Sequence, residues 1–331
     1  MKAKTTLVLN QNLVKLLRLL QDGQYHDGTS IGKTLNITRG GVWKLIKKLE
    51  QYQVAFTSMK GKGYQLNEPL ILLDGEKIQN SLGKIPLKIE VLEKVDSTNR
   101  YLKLSQAPIE EVRVCLSEMQ TKGRGRLNRS WYSPFGKNIY FSMRYPFQKD
   151  LSELSGLSLV VALSVAHTLN TIIGFQEKIK LKWPNDVIVQ GEKMAGILIE
   201  IQAESNGFSQ VVIGIGINVN ETDADQNNIT QPWSSLKKIT GINYDRNGIC
   251  AELISKLLSY LQRFSVSSLS DFNTEWQERD LLFGKAVELM SGNQSYSGIA
   301  QGIDAQGHLV LKLADGSLKG FSSGDTSLRK Q

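Results

Sequence analysis

Three arginines, Arg124, Arg126 and Arg129, stand within the nine residues Gly123-Arg124-Gly125-Arg126-Leu127-Asn128-Arg129-Ser130-Trp131. A guanidinium offers five donors in a rigid planar fork that matches carboxylate and phosphate oxygens. The interspersed glycines permit positive φ and close backbone approach to a ligand. The chemistry this composition suits is the gripping of an anion by a mobile loop that an aromatic, Trp131, closes. A solvated basic surface loop is the plainer reading of the same residues. Asp96-Ser97-Thr98-Asn99 places hydroxyl and amide groups at the end of an alternating stretch. Such groups cap a helix, and the N–H groups of a helix start also bind polar ligands. In Lys182-Trp183-Pro184-Asn185-Asp186 the proline and the Asn-Asp pair read as a hairpin corner over a packed tryptophan. Lys193, at the head of the apolar stretch Ile197 to Gln202, is unremarkable alone.

The run Val211 to Val219 carries Gly214-x-Gly216-x-Asn218. A dinucleotide fingerprint needs a third glycine and a following helix, and both are missing here. The two glycines instead suggest a strand against which a ligand lies. The polar stretch Glu221 to Pro232 has the composition of a disordered loop, and Trp233 closes it.

The elements that position these groups fall into three modules. Residues 1–66 hold 11 Lys/Arg against 3 Asp/Glu, a net +8, while the remainder holds 29 of each. A small module that carries the whole excess of positive charge has the electrostatic footprint of a nucleic-acid binder. Leu13, Leu16, Leu17 and Leu20 recur at helical spacing, Ser30 to Leu35 forms a short second helix, and Thr38 caps a third from Arg39 to about Tyr52. Val42, Leu45, Ile46 and Leu49 form the buried stripe of that third helix. Arg39, Trp43, Lys44, Lys47 and Lys48 form its outer face, and Lys60 and Lys62 the tip of a hairpin. This order is a winged helix-turn-helix, with the third helix in the major groove and the wing on phosphates. Gly40-Gly41 conflicts with it, because glycine weakens a helix. A solvated interaction module is the alternative.

Residues 68–279 form the second module. After a linker with a helix over 75–82, strands over 88–95, 112–119, 138–145, 197–202 and 211–219 meet one long uncharged helix over 154–173. Few helices between strands predict a mixed or antiparallel sheet. Helices follow over 246–264 and 269–279. Residues 280–331 alternate in short segments with turns, which fits a small five-stranded SH3-like barrel. The fold class is thus α+β. No apolar run is expected to cross a bilayer, and the N-terminus lacks the apolar core of a signal peptide. Cys115 and Cys250 read as ordinary residues of a reducing cytoplasm.

In combination these motifs resemble those of the biotin protein ligases that carry an N-terminal repressor domain. The arginine loop matches six of the seven specified positions of GRGRxGRxW, with Asn128 at the third glycine. DSTN and KWPND…KMAGILIE are the other carriers of the likeness. The resemblance implies a central sheet like that of class II aminoacyl-tRNA synthetases. It implies that Ser97, Thr98, Asn99, Gln120, Arg124, Gly125, Arg126 and Lys193 hold biotin. It assigns ATP or the adenylate to Arg129, Trp131, Asn185, Asn218, Trp233 and Arg329, with magnesium on the triphosphate and no metal site of the protein's own. It makes Lys193, Arg126 and Asp186 the catalytic set, and Asp186 lies beside the acceptor lysine or the nucleotide. The implied partners are the biotin carboxyl carrier protein of acetyl-CoA carboxylase, operator DNA and a second copy paired through the strand Ile197 to Ile201, with no membrane. A transcription factor without ligase activity and a lipoate-type acyl ligase are the alternatives. The full anion-binding set disfavours the first, and the arginine loop with DSTN disfavours the second.

Overall fold

The computed structural model describes residues 7–174, 179–205, 208–223, 231–292, 294–323 and 326–328. A two-residue strand, β1 (Leu7–Val8), precedes helices α1 (Gln11–Leu20), α2 (Gly28–Leu35) and α3 (Arg39–Gln51) and a hairpin of β2 (Phe56–Met59) and β3 (Gly63–Leu66). Each helix starts on a side chain that accepts the N–H groups its first turn leaves open: Asn10, Asp27 and Thr38. Asp27 starts α2 two residues ahead of the expected Ser30. Asn36 ends α2 at φ 54, and a Cβ on Gly32 would press on the Ile37 carbonyl, so α2 turns tightly into α3. The expected stripes of α1 and α3 are buried in one core with Ile31 and Leu35. Gly40 and Gly41 lie inside α3. A Cβ on Gly41 would stand 3.3 Å from the Ile37 side chain, which gives that glycine a packing reason.

The chain continues through α4 (Gly75–Leu82), β4 (Lys88–Lys94), α5 (Thr98–Lys103), β5 (Arg113–Ser117), β6 (Ile139–Phe147) and α6 (Leu157–Ile173). Next come β7 (Ile179–Lys182), β8 (Asp186–Val189), β9 (Glu192–Ser205), β10 (Phe208–Ile217), α7 (Leu236–Thr240), α8 (Arg246–Val266) and α9 (Asn273–Gln277). The last segment forms β11 (Ala286–Ser291), β12 (Gln294–Ile303), β13 (Leu309–Lys312), β14 (Leu318–Phe321) and β15 (Thr326–Leu328). Eight strands share one mixed sheet in the order β1-β4-β5-β6-β10-β9-β8-β7, with β4 and β5 parallel. The last five form an antiparallel sheet in the order β14-β13-β12-β11-β15. The expected helix over 269–279 divides into a 3-10 turn (Leu269–Phe272) and α9.

Two compact units emerge, Met1–Arg144 with Gly214–Thr230 and Ser235–Ala251, and Tyr145–Ile213 with Gln231–Ser234 and Glu252–Gln331. In the first, the Arg246 guanidinium is fully buried and donates to Glu118 at 2.7 Å and to the carbonyls of Ile71 and Asn138. Glu118 also accepts the Leu73 N–H, so this pair fixes the linker ahead of α4. In the second, α6 packs on β7, β8 and β9. The stretch Leu151–Ile173 is long and apolar enough to cross a membrane by length and composition, which corrects the expectation that no run is. Its residues are largely buried inside the protein, Ser164 and Thr168 among them. The turn before β13 grips the β7–β8 corner: Trp183, 1% exposed, donates its indole N–H to the Gly307 carbonyl at 3.0 Å.

Candidate functional site

In the first unit, β4 ends at Lys94 and α5 begins at Thr98, so Ser97, Thr98 and Asn99 sit at a strand-to-helix junction and are buried. Gln120 joins them to the arginine loop. Its Oε1 accepts the Thr98 N–H at 2.9 Å and the Thr98 hydroxyl at 3.1 Å, while its Nε2 donates to Ser133 at 3.1 Å. Ser133 in turn donates to the Trp131 carbonyl at 3.0 Å. Ser142, on β6, contacts both Thr98 and Asn99. Ser133 and Ser142 escaped the sequence reading. A serine inside the apolar run Ile139 to Met143 was the available signal.

The arginine segment is a folded turn and not an open loop. Arg124 bridges Ser130 antiparallel, the Trp131 N–H reaches the Gly123 carbonyl at 2.9 Å, and the Arg129 N–H reaches the Arg126 carbonyl at 3.1 Å. Leu127 and Asn128 take φ 52 and 57, the paired positive angles of a type I′ turn. Asn128 therefore fills the family's glycine position with the residue that best tolerates it. Arg124 and Arg129 are exposed, and Gly125, Arg126 and Trp131 are half-buried. The two glycines of β10 make room for side chains. A Cβ on Gly214 would collide with the Asn99 amide, and one on Gly216 with the Trp131 indole. Asn218 is buried, and its carbonyl accepts the first N–H of α7.

In the second unit, the Lys193 amine lies 2.7 Å from the Asp186 carboxylate, both side chains less than a fifth exposed. Register explains the pairing. Val187 faces Ala195 but Ile188 faces Lys193, so Met194 is an extra residue in β9. A single-residue bulge brings Lys193 to the face of Asp186, where strict alternation would turn it to the opposite face. The backbone of Lys193 is bracketed by Pro232 and Ser234, with Trp233 between them. Asn185 donates its amide to the Ile197 carbonyl at 2.7 Å and so is already used in closing the β7–β8 corner. Arg329, and most of the polar stretch before Trp233, lie outside the described residues.

Residues 91–218 match the biotin/lipoate A/B protein ligase family, 282–329 the biotin protein ligase C-terminal domain, and 12–65 a helix-turn-helix domain. The chain is 36% identical to the bifunctional ligase/repressor BirA of Escherichia coli over 96% of this chain and 97% of that protein. It belongs to the BirA family. The Salmonella typhimurium BirA is 37% identical over 95% of this chain and 96% of its own length. Among solved structures, the biotin protein ligase of Aquifex aeolicus in complex with biotin and ATP aligns with a TM-score of 0.64 and 32% identity. That alignment covers 74% of this chain and 99% of the other.

The helix-turn-helix of this BirA-family chain presents a basic face. Arg39, Trp43, Lys44 and Lys47 on α3 are exposed, as are Lys60 and Lys62 at the hairpin tip. Lys47 is paired with Glu50 at 2.6 Å, and Lys62 lies 5.8 Å over the Tyr25 ring. Lys48 departs from this face: its amine turns inward to Glu93, a fully buried carboxylate on β4 that also accepts the Tyr52 hydroxyl at 2.5 Å. Burial and this contact push the Tyr52 phenol well above its usual value. A buried carboxylate needs a cation, and Lys48 supplies it.

Proposed function

We propose that this chain is an ATP-dependent biotin protein ligase that also represses the biotin biosynthesis operon, with biotinyl-5′-AMP as intermediate and corepressor. The observation that carries the reading is Gln120, which ties the Ser97-Thr98-Asn99 wall to the turn bearing Arg124, Arg126 and Arg129. Fixed donors and acceptors tied to a turn that carries three arginines suit a neutral polar ring with an acidic tail.

A carboxylate is a poor acyl donor at neutral pH. Attack of a biotin carboxylate oxygen on the α-phosphorus of ATP forms the mixed anhydride and expels pyrophosphate. The acceptor lysine's neutral amine then attacks the anhydride carbonyl and expels AMP. Arg124, Arg126, Arg129 and Lys193 hold the two anions and offset the charge that builds between them. Ser97, Thr98, Asn99, Gln120 and Gly125 bind biotin. Trp131, Asn185, Asn218, Trp233 and Arg329 serve the nucleotide. Asp186 orients the incoming amine or takes its proton. Magnesium enters with the triphosphate, and no residue is assigned to it.

The functional modules are 1–67, 68–279 and 280–331, and the reaction belongs to the cytoplasm. The acceptor is a lysine of the biotin carboxyl carrier protein of acetyl-CoA carboxylase. Arg39, Trp43, Lys44, Lys47, Lys60 and Lys62 address operator DNA. β9 extends through Ile197 to Ile201, and Ile201 is 40% exposed. That extension is our surface for a homodimer that presents two α3 helices to a palindrome. Incubation with ATP, a carrier domain and either biotin or lipoate, read by intact mass, tests the ligase. Biotin alone should be transferred; lipoate transfer, or none, would overturn the assignment. Operator affinity should rise with biotinyl-AMP and fall steeply with salt, and equal binding with and without the adenylate would remove the repressor role.

A further inference from the structure

Ser142 lies mid-β6, fully buried, between Phe141 and Met143. A hydroxyl at such a place must find hydrogen-bond partners. Its Oγ stands 2.7 Å from Thr98 Oγ1 and 2.6 Å from Asn99 Oδ1, two of the side chains proposed above to bind biotin. Thr98 has one hydroxyl proton and gives it to Gln120 Oε1. The Ser142 hydroxyl points its one proton between Thr98 Oγ1 and Asn99 Oδ1, which share it in a three-centre bond. With its oxygen held toward β6, the Asn99 amide directs its NH2 end away from that strand. Gly214 leaves the space in which this amide sits. Gln120, whose Oε1 already accepts two Thr98 donors, is oriented by the same chain and aims its NH2 at Ser133.

We propose that Ser142 is a positioning residue that sets which ends of Thr98 and Asn99 face the ligand, and so selects a cyclic urea over rings of other polarity. A cyclic urea presents N–H donors on both sides of a carbonyl acceptor, and only a wall with fixed donor and acceptor ends can match it. A hydroxyl that rotates, or an amide free to flip, would accept either polarity. The inference rests on the ligase reading above, and the experiment separates the two.

The full-length protein is compared with Ser142→Ala and Ser164→Ala. Ser164 is equally buried and donates only to the Val161 carbonyl of its own helix. Biotin binding is measured by calorimetry without ATP, and KM values for biotin and ATP by pyrophosphate exchange. Loss of the donor leaves buried oxygens without their partner, so Ser142→Ala should weaken biotin binding and raise its KM about ten-fold. The ATP KM and kcat should hold at the wild-type values, and Ser164→Ala should change neither constant. An unchanged biotin constant in Ser142→Ala, or equal rises for biotin and ATP, overturns the role of Ser142. Wild-type protein that binds no biotin overturns the ligase reading itself.

Discussion

Replacing Lys193 separates a structural contribution from a chemical one. At 2.7 Å from Asp186, the attraction at an effective dielectric near 20 amounts to about 6 kcal/mol before desolvation is subtracted. Removing one partner of a fully buried pair costs roughly 3–5 kcal/mol. Both side chains here keep some contact with water, 14% and 19% exposed, so Lys193→Ala should cost about 1–3 kcal/mol. The chemical loss is larger. A fixed cation beside developing charge contributes on the order of 100- to 1,000-fold in rate, and ATP–pyrophosphate exchange with biotin should fall by that factor. The double variant Lys193→Ala/Asp186→Ala no longer holds an unpaired carboxylate. Its stability in urea should recover toward wild type while exchange remains at the Lys193→Ala level. Recovery of exchange in the double variant would refute the reasoning, because Lys193 would then serve only to neutralise Asp186.

Three other outcomes follow from the packing. Arg246→Ala strands the buried Glu118 carboxylate and two carbonyls, so urea unfolding should show a loss of about 3–5 kcal/mol; a change under 1 kcal/mol would contradict the burial of the pair. Gly216→Ala forces the Trp131 indole off β10 and should shift tryptophan fluorescence and raise the biotin KM, whereas wild-type values would mean that the indole does not rest there. Burial lifts the Cys115 thiol well above its usual range and pushes Cys250 up to about 12. Both stay protonated as pH rises to 9, so thiol reagents should label the folded protein slowly at that pH and label both cysteines at once in denaturant; fast native labelling would disagree.

The legibility of the chain follows the range of each interaction. The stripes of α1 and α3, the Thr38 cap and the α4 segment are local patterns, and the sequence carries them in full. β1 has two residues and α7 five, too few to display a period. Lys48 shares the spacing of the exposed lysines, and only the tertiary position of Glu93 draws it inward. The site divides in the same way. Arg124, Arg126, Arg129 and the Ser97-Thr98-Asn99 trio announce themselves by type and spacing. The bulge at Met194 depends on which residue of β8 faces which residue of β9, and no property of β9 alone reveals it. Gly214 and Gly216 were legible as necessary, but their neighbours Asn99 and Trp131 were not. Ser142 matters for what lies across from it, which pairing decides.

The claim that the arginine turn and Lys193 take hold of an acyl-adenylate is tested most directly by a crystal structure with biotinyl-5′-AMP bound. The account predicts guanidinium nitrogens of Arg124 or Arg126, and the Lys193 amine, within hydrogen-bonding distance of the acyl or phosphate oxygens, with the bicyclic ring against Thr98, Asn99 and Gln120. Those side chains left in bulk water, with the adenylate lodged elsewhere on the protein, would contradict it.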